Sequence, residues 1–109
     1  MTVAVVTPWL NHPDLWPGYE RAIELGPAPD ELLVVDNGSE PPLPFGTVRN
    51  VRNRGFAAAS NRGLWRTSCD VVVFLNNDVE ATSPGWLLAP SCCFVVICAP
   101  RGSAAQLVR

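Results

Sequence analysis

Apolar residues along this chain fall into short blocks of two kinds, continuous β-branched runs and helically spaced stripes, and the two kinds alternate. Val3 to Thr7 is an uninterrupted run stopped by Pro8. Leu32 to Val35 is a second, and Val71-Val72-Val73-Phe74-Leu75 a third. None alternates apolar with polar positions, the mark of strands covered on both faces in a parallel sheet. Between them, Leu15, Tyr19, Ala22 and Ile23 recur at helical spacing after Pro13-Asp14, which opens a helix running to about Leu25 and ended by Gly26-Pro27. An alanine-rich stretch from Phe56 to about Thr67 predicts a second helix, with Asn53 or Gly55 near its start. A short strand near Val48 to Val51 fits between the Gly/Pro-rich turn of residues 37–46 and that helix. The expected order is β-α-β-(β)-α-β: an α/β, Rossmann-like three-layer parallel sheet with helices on both faces.

Two of these strands end in carboxylates. Glu31-Leu32-Leu33-Val34-Val35 runs into Asp36-Asn37-Gly38-Ser39, and Val71 to Leu75 into Asn76-Asn77-Asp78. In parallel α/β sheets ligands bind outside the carboxyl ends of strands. Thr7, Asp36 and Asp78 are therefore expected on one sheet edge. Beyond Asp78 the pattern weakens. Thr82 to Leu88 reads as a turn entering a helix that Pro90 cuts short, and Cys93 to Cys98 as a fifth strand.

Composition narrows the field. With 109 residues and 48% hydrophobic content the chain builds one core, as one domain or part of one. Its net charge of -2 gives no general basic field, and no nucleic-acid role is expected. The arginines at 49, 52, 54, 62 and 66 do cluster, as a solvated face or as a frame for a phosphate. Cys69, Cys92, Cys93 and Cys98 lack zinc-site spacing and read as reduced, mostly buried thiols. The first residues carry no basic n-region, and no stretch approaches the length of a membrane span. A cytoplasmic location is expected, free or at the inner face of the membrane. Asn37-Gly38-Ser39 fits a glycosylation pattern but reads better as a turn.

Four ordered segments, Val34 to Ser39, Asn53 to Leu64, Phe74 to Glu80 and Pro84 to Leu87, resemble the family 2 glycosyltransferases of GT-A fold, in the flavour of rhamnosyltransferase-like members. The resemblance covers roughly residues 3 to 88, matching the nucleotide-sugar-binding half of that family. Residues 1–88 are read as that half and 89–109 as a divergent tail, a truncated form of the GT-A architecture.

The resemblance implies binding of a UDP-, dTDP- or GDP-linked sugar for transfer to a glycan or lipid acceptor in cell-envelope polysaccharide synthesis. Thr7 and Pro8 match the segment lying along the nucleotide base, and Asp36 the carboxylate that accepts a ring N–H, with Asn37 beside it. An Asx-turn is the alternative for Asp36. Gly55 and Gly63 allow close backbone approach, and Asn53 and Asn61 offer amides to ribose or phosphate, with capping and packing as alternatives. Asn77 joins the nucleotide set. Asp78 matches the last residue of a D-x-D metal motif, here Asn76-Asn77-Asp78, suited to Mg²⁺ or Mn²⁺ held jointly with diphosphate oxygens.

The general base expected of inverting members is missing, since no Asp or Glu follows Glu80, and a role for His12 or Asp14 there would be unlike the family. Catalytic residues are therefore unassigned, and the segment is expected to bind donor without completing transfer. The rival reading is a non-catalytic nucleotide-binding or partner-packing module. On either reading an unpaired apolar segment at 92–98 would act as an exposed edge favouring a homodimer.

Overall fold

The computed structural model describes residues 2–26 and 28–78, and the backbone of 94–98. Five strands form one sheet in the order β3-β2-β1-β4-β5: β1 (Val3–Trp9), β2 (Glu31–Asn37), β3 (Val48–Asn50), β4 (Val71–Leu75) and β5 (Phe94–Cys98). The first four are parallel, and β5 runs antiparallel to β4, pairing Val71 with Cys98 and Leu75 with Phe94. The apolar segment at 94–98 is thus paired along β4 rather than left free. The turn and short helix expected at 82–88 lie outside the described residues.

Helix α1 (Trp16–Leu25), entered through a 3₁₀ turn at Pro13–Leu15, covers one face of the sheet, and α2 (Phe56–Arg66) covers the other. Tyr19 and Ala22 are the buried positions of α1, and Tyr19 packs with Val5, Trp9, Val34, Val73 and Leu75. On the opposite face Ala59 and Leu64 of α2 pack with Ala4, Val6, Leu33, Val35, Val72 and Phe74. Every residue of β4 is buried, so the lack of polar alternation in its sequence follows from having a helix layer on each side.

Gly63 explains how closely α2 lies on the sheet. A Cβ there would come within 2.3 Å of Val6 Cγ1 and 3.2 Å of Val35 Cγ2. Its small size serves helix-to-sheet contact and not approach to a ligand.

Strand β1 is longer than its sequence suggests. Pro8 and Trp9 continue it, paired with Val35 and Asp36 of β2. Pairing with β4 ends at Val6 opposite Phe74, so Pro8, which has no N–H to donate, sits where one flank of the strand is already open. Trp9 is thereby carried into the core at 1% exposure, in edge contact with Tyr19 (5.2 Å between ring centroids) and Phe45 (4.8 Å).

Candidate functional site

The carboxyl ends of β1, β2 and β4 open onto a cavity of about 450 Å³. Pro8, Trp9, Leu10, His12 and Leu15 form one wall, and Asn37, Asn53, Gly55 and Phe56 another, with Asn76, Asn77 and Asp78 at the β4 end. The sheet topology brings these stretches together: β1 is central, β2 and β4 flank it in parallel, and their following loops leave from the same edge.

Each wall is held by polar contacts. Asn37, 4% exposed, uses its whole amide. Its Nδ2 donates to Asn53 Oδ1 (3.0 Å) and to the Gly55 carbonyl (3.3 Å). Its Oδ1 accepts from Asn50 Nδ2 (3.0 Å) and Arg54 N (3.1 Å). One side chain therefore fixes the end of β2 to the loop entering α2. Asn53 Oδ1 also accepts from Gly55 N at 2.8 Å. Gly38, at φ +89°, belongs to the same clamp: a Cβ there would lie 2.6 Å from the backbone of Arg52 and Asn53, so only glycine lets the two loops meet.

On the β1 side, Asn11 and His12 are both left-handed, at φ 56° and 54°, which is unfavourable for residues with a Cβ and persists only where neighbours over-determine it. The neighbours here are Ser39, whose Oγ accepts from Asn11 N (2.7 Å), and Glu40, whose N–H donates to Asn11 Oδ1 (3.0 Å). Trp9 Nε1 donates to the His12 carbonyl at 3.3 Å. The exposed His12 is in this way placed at the rim.

Asp36 departs from the sequence expectation. It is 1% exposed and is not part of the cavity wall. Its Oδ1 accepts from Ser39 N (2.9 Å), and its Oδ2 from Leu43 N (2.9 Å) and Arg49 Nη1 (2.7 Å). Each oxygen already accepts from the protein, so the turn-forming reading of this carboxylate fits the geometry. Burial pushes its pKa up, but the Leu43 and Ser39 donors and the Arg49 charge outweigh that and hold the carboxyl below its ordinary value. Arg49 further donates to the Ser39 carbonyl from both terminal nitrogens at 3.3 Å.

Thr7 is likewise turned inward. It is fully buried, and its hydroxyl shares a 2.5 Å hydrogen bond with Tyr19; burial raises the Tyr19 phenol far above its usual range, against a smaller lowering by Thr7. Of the first expected pair only Pro8 faces the cavity. Asn61 lies mid-helix in α2, away from the cavity, with a buried Oδ1 that has no partner among the described residues. The expected residues that do converge are Pro8, Asn37, Asn53, Gly55, Asn77 and Asp78. Trp9, Leu10, Leu15 and Phe56 join the walls without having been anticipated: reading Pro8 as a strand end hid the continuation of β1 through Trp9, and Leu15 and Phe56 read only as helix positions.

Candidate oxygen donors for a cation lie at the β4 end of the cavity. Among the described residues no three His, Cys, Asp or Glu side chains converge. Asp78 is exposed at the cavity wall beside the amides of Asn76 and Asn77, an all-oxygen donor set that suits a hard divalent cation only if a ligand completes the coordination.

A sheet covered on both faces, with a cavity of mixed apolar and polar lining at the carboxyl edge of its parallel strands, is the α/β architecture in which ligands bind at strand ends. Residues 4–89 match the sequence model of glycosyl transferase family 2, and the chain belongs to that family. No curated protein matches it in sequence. Among solved structures it resembles the mannosyltransferase PcManGT from Pyrobaculum calidifontis, determined in complex with GDP-Man and Mn²⁺, with a TM-score of 0.63 and 24% identity. The match covers 74% of this chain and 28% of the mannosyltransferase, so the chain spans little more than a quarter of that protein's length. The fold is of the Rossmann-like GT-A type.

Proposed function

We propose that this chain forms the donor-binding part of a nucleotide-sugar glycosyltransferase, taking a nucleoside diphosphate sugar into the cavity at the carboxyl edge of β1, β2 and β4. The observation that carries the reading is the juxtaposition of Asn76, Asn77 and Asp78 with Asn37, Asn53 and Gly55 across one cavity, in a chain of glycosyl transferase family 2. The apolar wall at Pro8 and Leu10, backed by the buried Trp9, offers a surface for a planar base, and the amide-rich wall offers donors to ribose and phosphate.

Asp78, with the amide oxygens of Asn76 or Asn77, would hold Mg²⁺ or Mn²⁺ together with diphosphate oxygens; the structurally similar mannosyltransferase was determined with Mn²⁺. The cation supplies charge neutralisation for the departing diphosphate. One protein carboxylate makes a weak site without nucleotide, so cation and nucleotide should bind cooperatively. The sugar, rhamnosyl or another hexosyl, and the glycan or lipid acceptor belong to the same proposal.

Calorimetric titration with UDP, dTDP and GDP, each in Mn²⁺, Mg²⁺ and chelator, is the direct test. At least one nucleotide should bind more tightly with cation than with chelator. Asp78→Asn should abolish that difference while leaving the unfolding midpoint within about 0.5 kcal/mol of wild type, since the side chain is exposed. Equal binding in all buffers would remove the cation from the proposal, and no binding at all would remove the donor site.

A further inference from the structure

All ten acidic residues of the chain fall outside residues 41–69, whereas five of its eight arginines, at 49, 52, 54, 62 and 66, fall inside. That segment builds β3, the loop after it and α2, so the charge imbalance becomes a spatial one. The α2 face of the sheet is basic. The α1 face carries exposed Asp14, Glu20 and Glu24 against exposed Arg21. Arg49 is tied to Asp36; the other four arginines are exposed and have no ion-pair partner among the described residues.

Helix α2 buries Ala59, Ser60, Gly63 and Leu64 against the sheet. Its outward side is made of Ala58, Arg62, Trp65 and Arg66, all exposed. Trp65 is 64% exposed, an unusual position for the largest apolar side chain, and Val51 beside Arg52 is 83% exposed. A tryptophan flanking two arginines on an exposed helix face combines an apolar ring and a polar N–H with long cationic stems. That pairing suits the headgroup layer of a bilayer, where indole rings sit at the interface and arginine stems lie along it.

We infer that the outer face of α2, centred on Arg62, Trp65 and Arg66, docks on an anionic lipid surface. Charge complementarity selects this occupant. A planar bilayer meets only the basic face, whereas a flexible polyanion would sample a surface whose net charge is -2. Single-stranded nucleic acid is held in grooves by several stacked aromatics, and this face is a helix ridge with one. Because the apolar stripe of α2 is spent on the sheet, the contact is electrostatic with a single aromatic anchor, and it should be weak, reversible and salt-sensitive. The inference is independent of the donor-site proposal, since none of these three residues lines the cavity.

Co-sedimentation of the full chain with phosphatidylcholine vesicles, with and without roughly one-third phosphatidylserine, tests it. Binding is expected only with the anionic lipid, and should be largely lost on raising salt from about 0.1 to about 0.5 M. Arg62→Ser/Arg66→Ser should lower the partition coefficient on the order of tenfold or more, at roughly fivefold per arginine. Trp65→Ser should lower it by a smaller factor, and Arg21→Ser on the opposite face should leave it unchanged. All of these positions are exposed, and circular dichroism establishes that each variant is folded. Equal partition onto neutral vesicles, insensitivity to the double substitution, or tighter binding to a labelled single-stranded oligonucleotide than to the anionic vesicles would each overturn the inference.

Discussion

Asp36 and Asn37 are adjacent in sequence yet point to opposite faces of β2, as neighbouring strand residues must, and each organises a different loop. Asp36 gathers Ser39, Leu43 and Arg49. Asp36→Asn would remove the charge that these donors satisfy and replace one acceptor oxygen by a donor facing other donors, at a cost of about 2–4 kcal/mol. The pH dependence has a definite sign. A carboxyl whose folded pKa is depressed contributes stability above its unfolded value, near 3.9, and loses it as pH falls through the folded value. Urea unfolding from pH 7 down to pH 3 should therefore show a loss of stability below about pH 4 that is diminished in Asp36→Asn. Asn37→Ala should also cost about 2–4 kcal/mol, because it strands Asn50 Nδ2 and Arg54 N in buried or half-buried settings. It should weaken nucleotide binding as well, because the wall of Asn53 and Gly55 loses its anchor. Paired unfolding and calorimetric measurements separate that outcome from a purely structural one.

For the elements, the informative position is Gly63 in α2. An isolated helix would gain about 1 kcal/mol from Gly→Ala. Here the added methyl would meet Val6, which is fully buried and β-branched at the centre of the sheet, and neither side can yield without moving α2 off its core. Overpacking of this kind costs about 1–3 kcal/mol, so Gly63→Ala should be net destabilising by up to about 2 kcal/mol, as read from the denaturation midpoint. An unchanged or raised midpoint would show that α2 sits less tightly on β1 than the geometry indicates. The same element carries Phe56 at its N-terminal end, in the cavity wall, and Trp65 near its other end, so a shift of α2 should reach the site.

At the level of the whole molecule, the sheet brings residues separated by dozens of positions in sequence to one edge, and the proposed donor site requires β1, β2 and β4 all in register. Ligand binding and folding are consequently linked. A nucleoside diphosphate present with cation at about 100 times its dissociation constant should raise the unfolding free energy by about 2.7 kcal/mol. That gain should be largely absent in chelator and in Asp78→Asn. Thermal unfolding with and without nucleotide and Mn²⁺ measures it without requiring an acceptor or turnover.

How much of this could be read in advance depends on the range of the interaction concerned. Local pattern determined the elements: β4 at Val71–Leu75 and the start of α2 at Phe56 follow from apolar continuity and an alanine-rich stretch. The ordered segments ending in Asp36-Asn37 and Asn76-Asn77-Asp78 carried the family and the sheet edge on which a ligand would sit. Tertiary structure decided which side chains line the cavity. Asp36 and Thr7 look like site residues in a linear reading, but the pleat and the packing of α1 and of the 39–46 loop turn both inward. Trp9 looked like loop, because a proline ends a strand only where both flanks are paired, and the early end of pairing with β4 is a property of the sheet. Gly63 and the segregated arginines were visible as letters. Their roles came from burial and from the side of the sheet each occupies, which the order of residues does not specify until the chain is folded.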